Sequence, residues 1–339
     1  MNQKLSFRSR QEIDKATWDD FVIKSDMCWL WHDNDFINSF ESWPNQTDVS
    51  VAITDKNDKI LGLLPLHESI QRRKKILRQK SLFSLGGLAL KNGLSEKRQR
   101  KIRNFVYETL SSNAAKNGYN NLSITLSPMT PFLWSKNAPH INPLVLDGFE
   151  NTLTQSWIID LSLSQKSIDQ SMSETTRQQL KKVQESGITI RPATLKDLDT
   201  YYTLHQETYN RTDMKPHPYE YFEGIFTKLL KDKKVQILLA SDKDQIIAAK
   251  NCARFKEGVY YWTGASKTGV DSSINKLLMH EQIKSAKRDG FLRYECGESF
   301  PGTTNNKKAG LSLYKGSFGG QLYPFYRGQK GFTSRSFGL

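Results

Sequence analysis

One order of elements occurs twice in this 339-residue chain, and that repeat constrains the fold more than any single motif. In the first half, Ile13, Trp18, Phe21 and Val22 recur among charges at helical spacing over residues 11–25. Residues 49–54 and 60–67 flank an Asp55-Lys-Asn-Asp-Lys turn and read as a hairpin. A strand over 81–90, a helix over 97–116 that stops at Gly118, and a strand over 122–126 follow. The second half returns to the same order. It has a helix over 195–210, strands over 235–240 and 246–255 around Ser-Asp-Lys-Asp-Gln, and a strand over 259–266. A helix over 272–289 then stops at Gly290, before a strand over 292–299. The stop glycines lie 172 residues apart (290 − 118) and the turn aspartates Asp55 and Asp242 lie 187 apart (242 − 55). A basic insertion, with six Lys or Arg in residues 71–80, accounts for the 15-residue difference. Pro128, Pro131, Pro139 and Pro143 mark a loop-rich bridge, so the chain divides into domains 1–150 and 151–339. Each is expected to be α/β, an α+β arrangement around a mixed sheet.

The stretch 259–320 is where chemistry is expected. Val-Tyr-Tyr-Trp-Thr-Gly-Ala-Ser is aromatic and β-branched, as strands are. Ile274, Leu277, Leu278 and Ile283 form a helical stripe, and Leu-Arg-Tyr-Glu-Cys-Gly-Glu-Ser returns as a strand. Two strands joined by a helix are most simply parallel. The loop between the first strand and the helix then presents backbone N–H groups to a phosphate or carbonyl.

The net charge of +14 favours an acidic partner: nucleic acid, anionic lipid or a phosphorylated small molecule. Cys28, Cys252 and Cys296 are too far apart for a metal pattern and are read as reduced thiols. His205, His217 and His280 lack metal-ligand spacing, so no metal is expected. The N-terminus has no signal-like apolar run, and no window approaches the roughly 20 apolar residues of a membrane helix. The expectation is a soluble cytoplasmic protein without a transmembrane segment.

Helix, hairpin, strand, helix, strand is also the order of the acyltransferase fold of the GNAT superfamily, and its double occurrence resembles the Fem-type transferases and GNAT-type nucleotide-sugar N-acyltransferases. The resemblance rests on Trp157-Ile-Ile-Asp-Leu-Ser-Leu-Ser, Met172-Ser-Glu-Thr-Thr-Arg-Gln-Gln-Leu-Lys-Lys with Gly187-Ile, and Thr208-Tyr-Asn-Arg before Pro218-Tyr-Glu-Tyr-Phe. Tyr294-Glu-Cys-Gly and Leu313-Tyr-Lys-Gly-Ser-Phe-Gly-Gly complete it. It implies two tandem GNAT-like domains, with the donor site in the second.

What the resemblance implies about residues is specific. The donor, an acyl-coenzyme A, would lie along the strand carrying Trp262, Thr263, Gly264, Ala265 and Ser266. Its pyrophosphate would meet the helix start at Ser272, Ser273, Asn275 and Lys276. The chain departs from the family here: residues 267–273 hold only Gly269, and Asp271 is either a like charge beside the phosphate or an N-cap. Lys315 would reach the acceptor or the developing charge, or else be a solvated lysine at a helix end. Tyr314 would be the general acid for the leaving thiol, or core. Strand alternation puts Glu295 and Glu298 on opposite faces, so one of them would serve as base or ammonium anchor. Glu298 lies nearer the strand's C-terminal end and is preferred; Glu295 stands where the family has Asp. Arg177, Lys182, Arg211, Tyr261 and Glu295 are the expected acceptor contacts, the basic ones for a diphosphate or else a charged solvent face. Residues 72–80 read as a solvated basic loop, or as a track for a phosphate backbone.

The function these expectations describe is transfer of an acyl group from acyl-coenzyme A to the amino group of a nucleotide-linked amino sugar, a precursor of cell-envelope polysaccharide. One alternative is a Fem-type transfer from aminoacyl-tRNA to a peptidoglycan precursor, with tRNA as partner. The segment 223–234 is too short for the helical arm some of those enzymes carry. The other alternative is a non-catalytic module that binds an anion.

Overall fold

The computed structural model describes residues 4–73, 77–152 and 154–332. The chain forms two compact units. Residues up to 152 together with 325–332 make one, and Thr154–Pro324 the other.

In the first unit, α1 (Lys15–Lys24) is capped by Asp14, whose side chain accepts from Thr17 N at 2.9 Å, and buries Trp18 and Val22. β1 (Val51–Thr54) and β2 (Ile60–Leu64) pair antiparallel around a turn in which Asp55 accepts from the backbone of Asn57 and Lys59. The basic insertion is not a loop. β3 (His67–Arg73) and β4 (Leu77–Leu85) pair antiparallel from His67↔Phe83 to Arg73↔Leu77; residues 74–76 lie outside the described residues. α2 (Glu96–Asn117) ends at Gly118, whose φ of 70° closes the helix as the stop signal predicts. β5 (Tyr119–Thr125) then runs parallel to β4, from Lys80↔Tyr119 to Leu85↔Thr125.

The second unit is a seven-stranded sheet. Its elements are β6 (Gln155–Asp160), α3 (Glu174–Gln184), α4 (Leu198–Arg211), β7 (Val235–Asp242), β8 (Gln245–Phe255) and β9 (Gly258–Ser266). α5 (Ser272–Arg288), β10 (Arg293–Ser299), α6 (Asn306–Gly316) and β11 (Gln321–Pro324) follow. The strand order is Thr189–Pro192, β7, β8, β9, β10, β6, β11. Only β9 and β10 are parallel neighbours, and α5 joins them. The stripe Ile274, Leu277, Leu278 and Ile283 is buried against Cys252, Val259, Tyr294 and Cys296 of the sheet. Burying each such side chain is worth roughly 1.5–3 kcal/mol, which holds the crossover helix on the sheet.

One boundary differs from expectation. The C-terminal segment does not stay with the second domain: β12 (Arg327–Gly331) inserts antiparallel beside β5 in the first unit, where its backbone completes a ladder. Lys315 lies in the last turn of a helix, and the glycine turn follows it. α6 runs to Gly316, and Gly319 and Gly320, at φ of 81° and 86°, turn the chain into β11 only afterwards.

Candidate active site

β9 and β10 are paired at three positions: Gly258↔Arg293, Val259↔Tyr294 and Tyr260↔Glu295. Beyond them the strands separate. β9 continues to Ser266 along β8 alone, and β10 continues to Ser299 along β6 alone. Each carries a bulge at the parting. Trp262 is the extra residue between Thr263 and Tyr261 opposite Asn251 and Cys252, and Cys296 is the extra residue between Gly297 and Glu295 opposite Trp157 and Ile158. A bulge bends its strand and increases the local twist, which turns the two edges apart. The β9 edge at 261–266 therefore has no ladder partner on the β10 side among the described residues. In the first unit the equivalent β4–β5 ladder stays closed to its end at Leu85↔Thr125.

The bulge also overturns the alternation expected for the two glutamates. Glu298 pairs with Ser156 and Glu295 with Ile158, so both lie on one face of β10. Glu298 Oε1 accepts from Thr154 Oγ1 at 2.5 Å, and a Glu295 carboxyl oxygen accepts from Ser156 Oγ. Glu295 is fully buried. Burial pushes its carboxyl up to about 8, against the hydrogen bond from Ser156 and the pull of Lys315. Its Oε2 has no hydrogen-bond partner among the described residues.

Lys315, in the last turn of α6, is 9% exposed, which is no solvated surface position. Its Nζ donates to the Glu298 carbonyl at 2.8 Å and stands 5.5 Å from the Phe300 ring. Tyr314 beside it donates to the Asn275 carbonyl at 3.2 Å and accepts from Lys250 Nζ at 3.0 Å. Lys250, in the middle of β8, was not among the expected site residues. Its signal was a single lysine inside the apolar run Ile-Ile-Ala-Ala-Lys-Asn-Cys-Ala. It is 1% exposed, and burial pushes its amine down to about 7.

Of the remaining expected residues, Tyr261 to Ser266 lie on β9 and Arg211 reaches its end. Thr263 hydroxyl bonds Tyr201 at 2.7 Å, Trp262 stands edge-on to Tyr221, and Ala265 is buried. An ideal Cβ on Gly264 would come within 3.1 Å of the Tyr261 hydroxyl. Tyr261 is half-buried beneath Lys250 Nζ, 4.5 Å from the ring centroid. Arg211 donates to the Ser266 carbonyl at 3.3 Å and so sits at the end of β9. Arg177 closes the short helix Gln165–Ser171 by donating to the Gln170 and Met172 carbonyls, while Lys182 is exposed.

At the start of α5, Asp271 is the N-cap: it accepts from Ser273 N at 2.8 Å, and that backbone bond holds its carboxyl below the usual range. Ser272 is exposed, Lys276 Nζ donates to Thr176 Oγ1 at 2.9 Å, and Asn275 lends its carbonyl to Tyr314. The histidines are otherwise engaged. His205 and His217 stack at 4.8 Å, pushed down by burial to about 3 and about 4, and His280 Nε2 lies 2.9 Å from Asp169. Among the described residues no group of His, Cys, Asp or Glu could hold a metal ion.

This geometry has counterparts. Residues 170–308, which carry the separated strands and α5, match the family model described as an acetyltransferase (GNAT) domain. No curated protein matches the chain in sequence. Among solved structures it is similar to FemX, with a TM-score of 0.69 at 13% identity over 97% of this chain and 98% of that one. It is also similar to L-PGS from Bacillus licheniformis (0.57, 13%, 95% and 92%) and to a tandem GNAT protein from the clavulanic acid biosynthesis pathway (0.55, 10%, 97% and 99%). The fold is a tandem pair of GNAT-like domains, and residues 170–308 of the second carry the match to the acetyltransferase domain.

Proposed function

We propose that this protein is an N-acyltransferase that moves an acyl group from acyl-coenzyme A to the amino group of a nucleotide-linked amino sugar. The separation of β9 from β10 after Tyr260↔Glu295 carries this reading. A pantetheine arm has two amides and can lie along the open edge at 261–266 as an extra strand does. That would leave the thioester near the vertex, with Lys315, Tyr314 and Glu295 around it. The acceptor amine attacks the carbonyl carbon. Lys315 stabilises the oxyanion, and the thiolate leaves with a proton from Tyr314. Glu295, held protonated, serves as a hydrogen-bond donor to the acceptor, and Glu298 is the candidate base. Arg177, Lys182 and Arg211 are the cations for the acceptor's diphosphate. Such substrates place the reaction in the cytoplasm, as a step toward envelope polysaccharide. No described helix is long and apolar enough to cross a membrane.

A second reading has its own observation. Asp271 occupies the first turn of α5 with a carboxylate where the pyrophosphate of coenzyme A would bind. That favours a donor without a pyrophosphate, as in Fem-type transfer from aminoacyl-tRNA to a peptidoglycan precursor. Incubation with acyl-CoAs plus amino-sugar nucleotides, and separately with aminoacyl-tRNAs plus a nucleotide-linked muropeptide, read by mass spectrometry, tests both. N-acylated sugar nucleotide supports the first; aminoacylated muropeptide alone overturns it.

A further inference from the structure

Lys250 has an environment that needs explaining. It lies at the centre of β8, 1% exposed, between Ala249 and Asn251, which are fully buried. Its Nζ meets the Tyr314 hydroxyl at 3.0 Å and the faces of the Tyr261 and Tyr314 rings at 4.5 and 5.3 Å. No acidic side chain pairs with it among the described residues. An amine buried without a carboxylate is costly, and a leucine or methionine would fill the same volume at lower cost. Lys250 also lies beside the part of β9 that has separated from β10. It pairs with Gly264 on β9, and among the described residues its side-chain hydrogen bond goes to the tyrosine beside Lys315.

We infer that Lys250 is a positioning residue that works through Tyr314, holding its phenol and restoring the proton that the phenol gives to the leaving group. This rests on the acyl-transfer reading above. As the tetrahedral adduct collapses, the C–S bond breaks and its electron pair goes to sulfur. The thiolate takes the Tyr314 hydroxyl proton, and the phenolate takes one from the Lys250 ammonium across the 3.0 Å contact. Lys250 is left as the neutral amine, the form that burial favours. Glu298 takes the proton lost by the attacking amine and passes it to solvent, from which the Lys250 ammonium is restored. Each turnover thus moves one proton from the acceptor nitrogen to the thiol and leaves the pair unchanged.

The surrounding groups suit this role. Burial pushes Lys250 down to about 7, and the charge of Lys315 on α6 acts in the same direction. Cys252 on β8 and Cys296 on β10 are both raised by burial and remain thiols. Tyr261 on β9 and Tyr314 on α6 are likewise raised by burial. From α5, the Gln282 amide donates to the Lys250 carbonyl at 3.0 Å, and it carries no charge. Glu295, within the field of Lys315, is itself held protonated.

The test uses Lys250→Met, Tyr314→Phe and the double variant, with thiol release from acetyl-CoA measured against a panel of nucleoside-diphosphate amino sugars. Each single variant should lose kcat by on the order of 10²-fold, with KM for acetyl-CoA little changed. The double variant should be no slower than Tyr314→Phe. The wild type should lose activity as pH rises through about 7, and Lys250→Met should lack that limb. Additive losses, or an unchanged kcat in Lys250→Met, would overturn the inference. A second measurement needs no turnover: NMR titration of the lysine side-chain amines in the wild type and in Tyr314→Phe. Lys250 should titrate near 7 in the wild type and lower once its hydroxyl acceptor is gone. Titration together with the exposed lysines, or the same value in both forms, would overturn it. If the wild type releases no thiol from any acyl-CoA, the donor reading fails on its own, and the titration still decides whether Lys250 and Tyr314 act as a pair.

Discussion

Gly297 and Lys315 share one space. A Cβ on Gly297 would lie 2.5 Å from Lys315 Cε and 2.8 Å from Nζ, and the glycine's φ is 114°. The lysine stem crosses β10 where the strand bulges, and only a residue without a side chain lets it pass. Gly297→Ala should therefore displace Lys315 and strain the backbone by on the order of 1–3 kcal/mol. Turnover should fall by at least tenfold, and the melting temperature should drop. An alanine variant with wild-type turnover would show that Lys315 need not occupy this position.

Lys315→Met tests the charge without the strain, because most of the stem volume is kept. Turnover should fall on the order of 10²–10³-fold if the ammonium faces the developing oxyanion. Stability should change by no more than about 1–2 kcal/mol, the scale of the single hydrogen bond to the Glu298 carbonyl. Turnover near the wild-type value would move the weight to Glu298 and Tyr314.

Glu295 makes stability depend on pH. Its folded-state value is raised, to about 8, so its contribution is fully present below the ordinary glutamate range and is lost as pH rises through about 8. Across that window one differentially bound proton changes stability by up to about 1.4 kcal/mol per pH unit. The stability of the wild type against urea should fall between pH 5 and pH 8, within that window, and Glu295→Gln should flatten the trend. Parallel curves for the two proteins would mean that Glu295 is ionised throughout.

Asp271→Asn separates the two donors. Asparagine caps a helix about as well as aspartate, so α5 should persist while its first turn loses a negative charge. Removing that charge should tighten coenzyme A binding by roughly two- to fivefold, the scale of a charge at a helix end. Calorimetric titration of coenzyme A reads this directly. Unchanged affinity would place the pyrophosphate elsewhere and strengthen the aminoacyl reading.

What could be read from the chain was local. The turn at Asp55, the helix stops at Gly118 and Gly290 and the stripe of α5 depend on neighbours within a few residues, and the structure has them where the pattern puts them. The repeated order of elements and the parallel β9–β10 pair follow from those pieces, because a strand, a helix and a strand have few ways to pack. Of the expected site residues, Lys315 and Tyr314 contact the strands on either side of the opening, Lys315 on β10 and Tyr314 through Lys250 on β8.

Tertiary structure decided the rest. Alternation along β10 alone separates Glu295 from Glu298. One extra residue at Cys296, created by pairing with β6 more than a hundred residues earlier, brings them to the same face. Lys250 is ordinary in sequence and acquires its role from Tyr314, 64 residues away. The basic insertion became a hairpin, and Arg327–Gly331 joined the first unit, because a strand edge is satisfied by whichever backbone reaches it. Hydrogen bonds and caps within a few residues are encoded by residue type. Bulges, burial and the pairing of distant strands arise only when the whole sheet is assembled, and they set the charge state and direction of the side chains at this site.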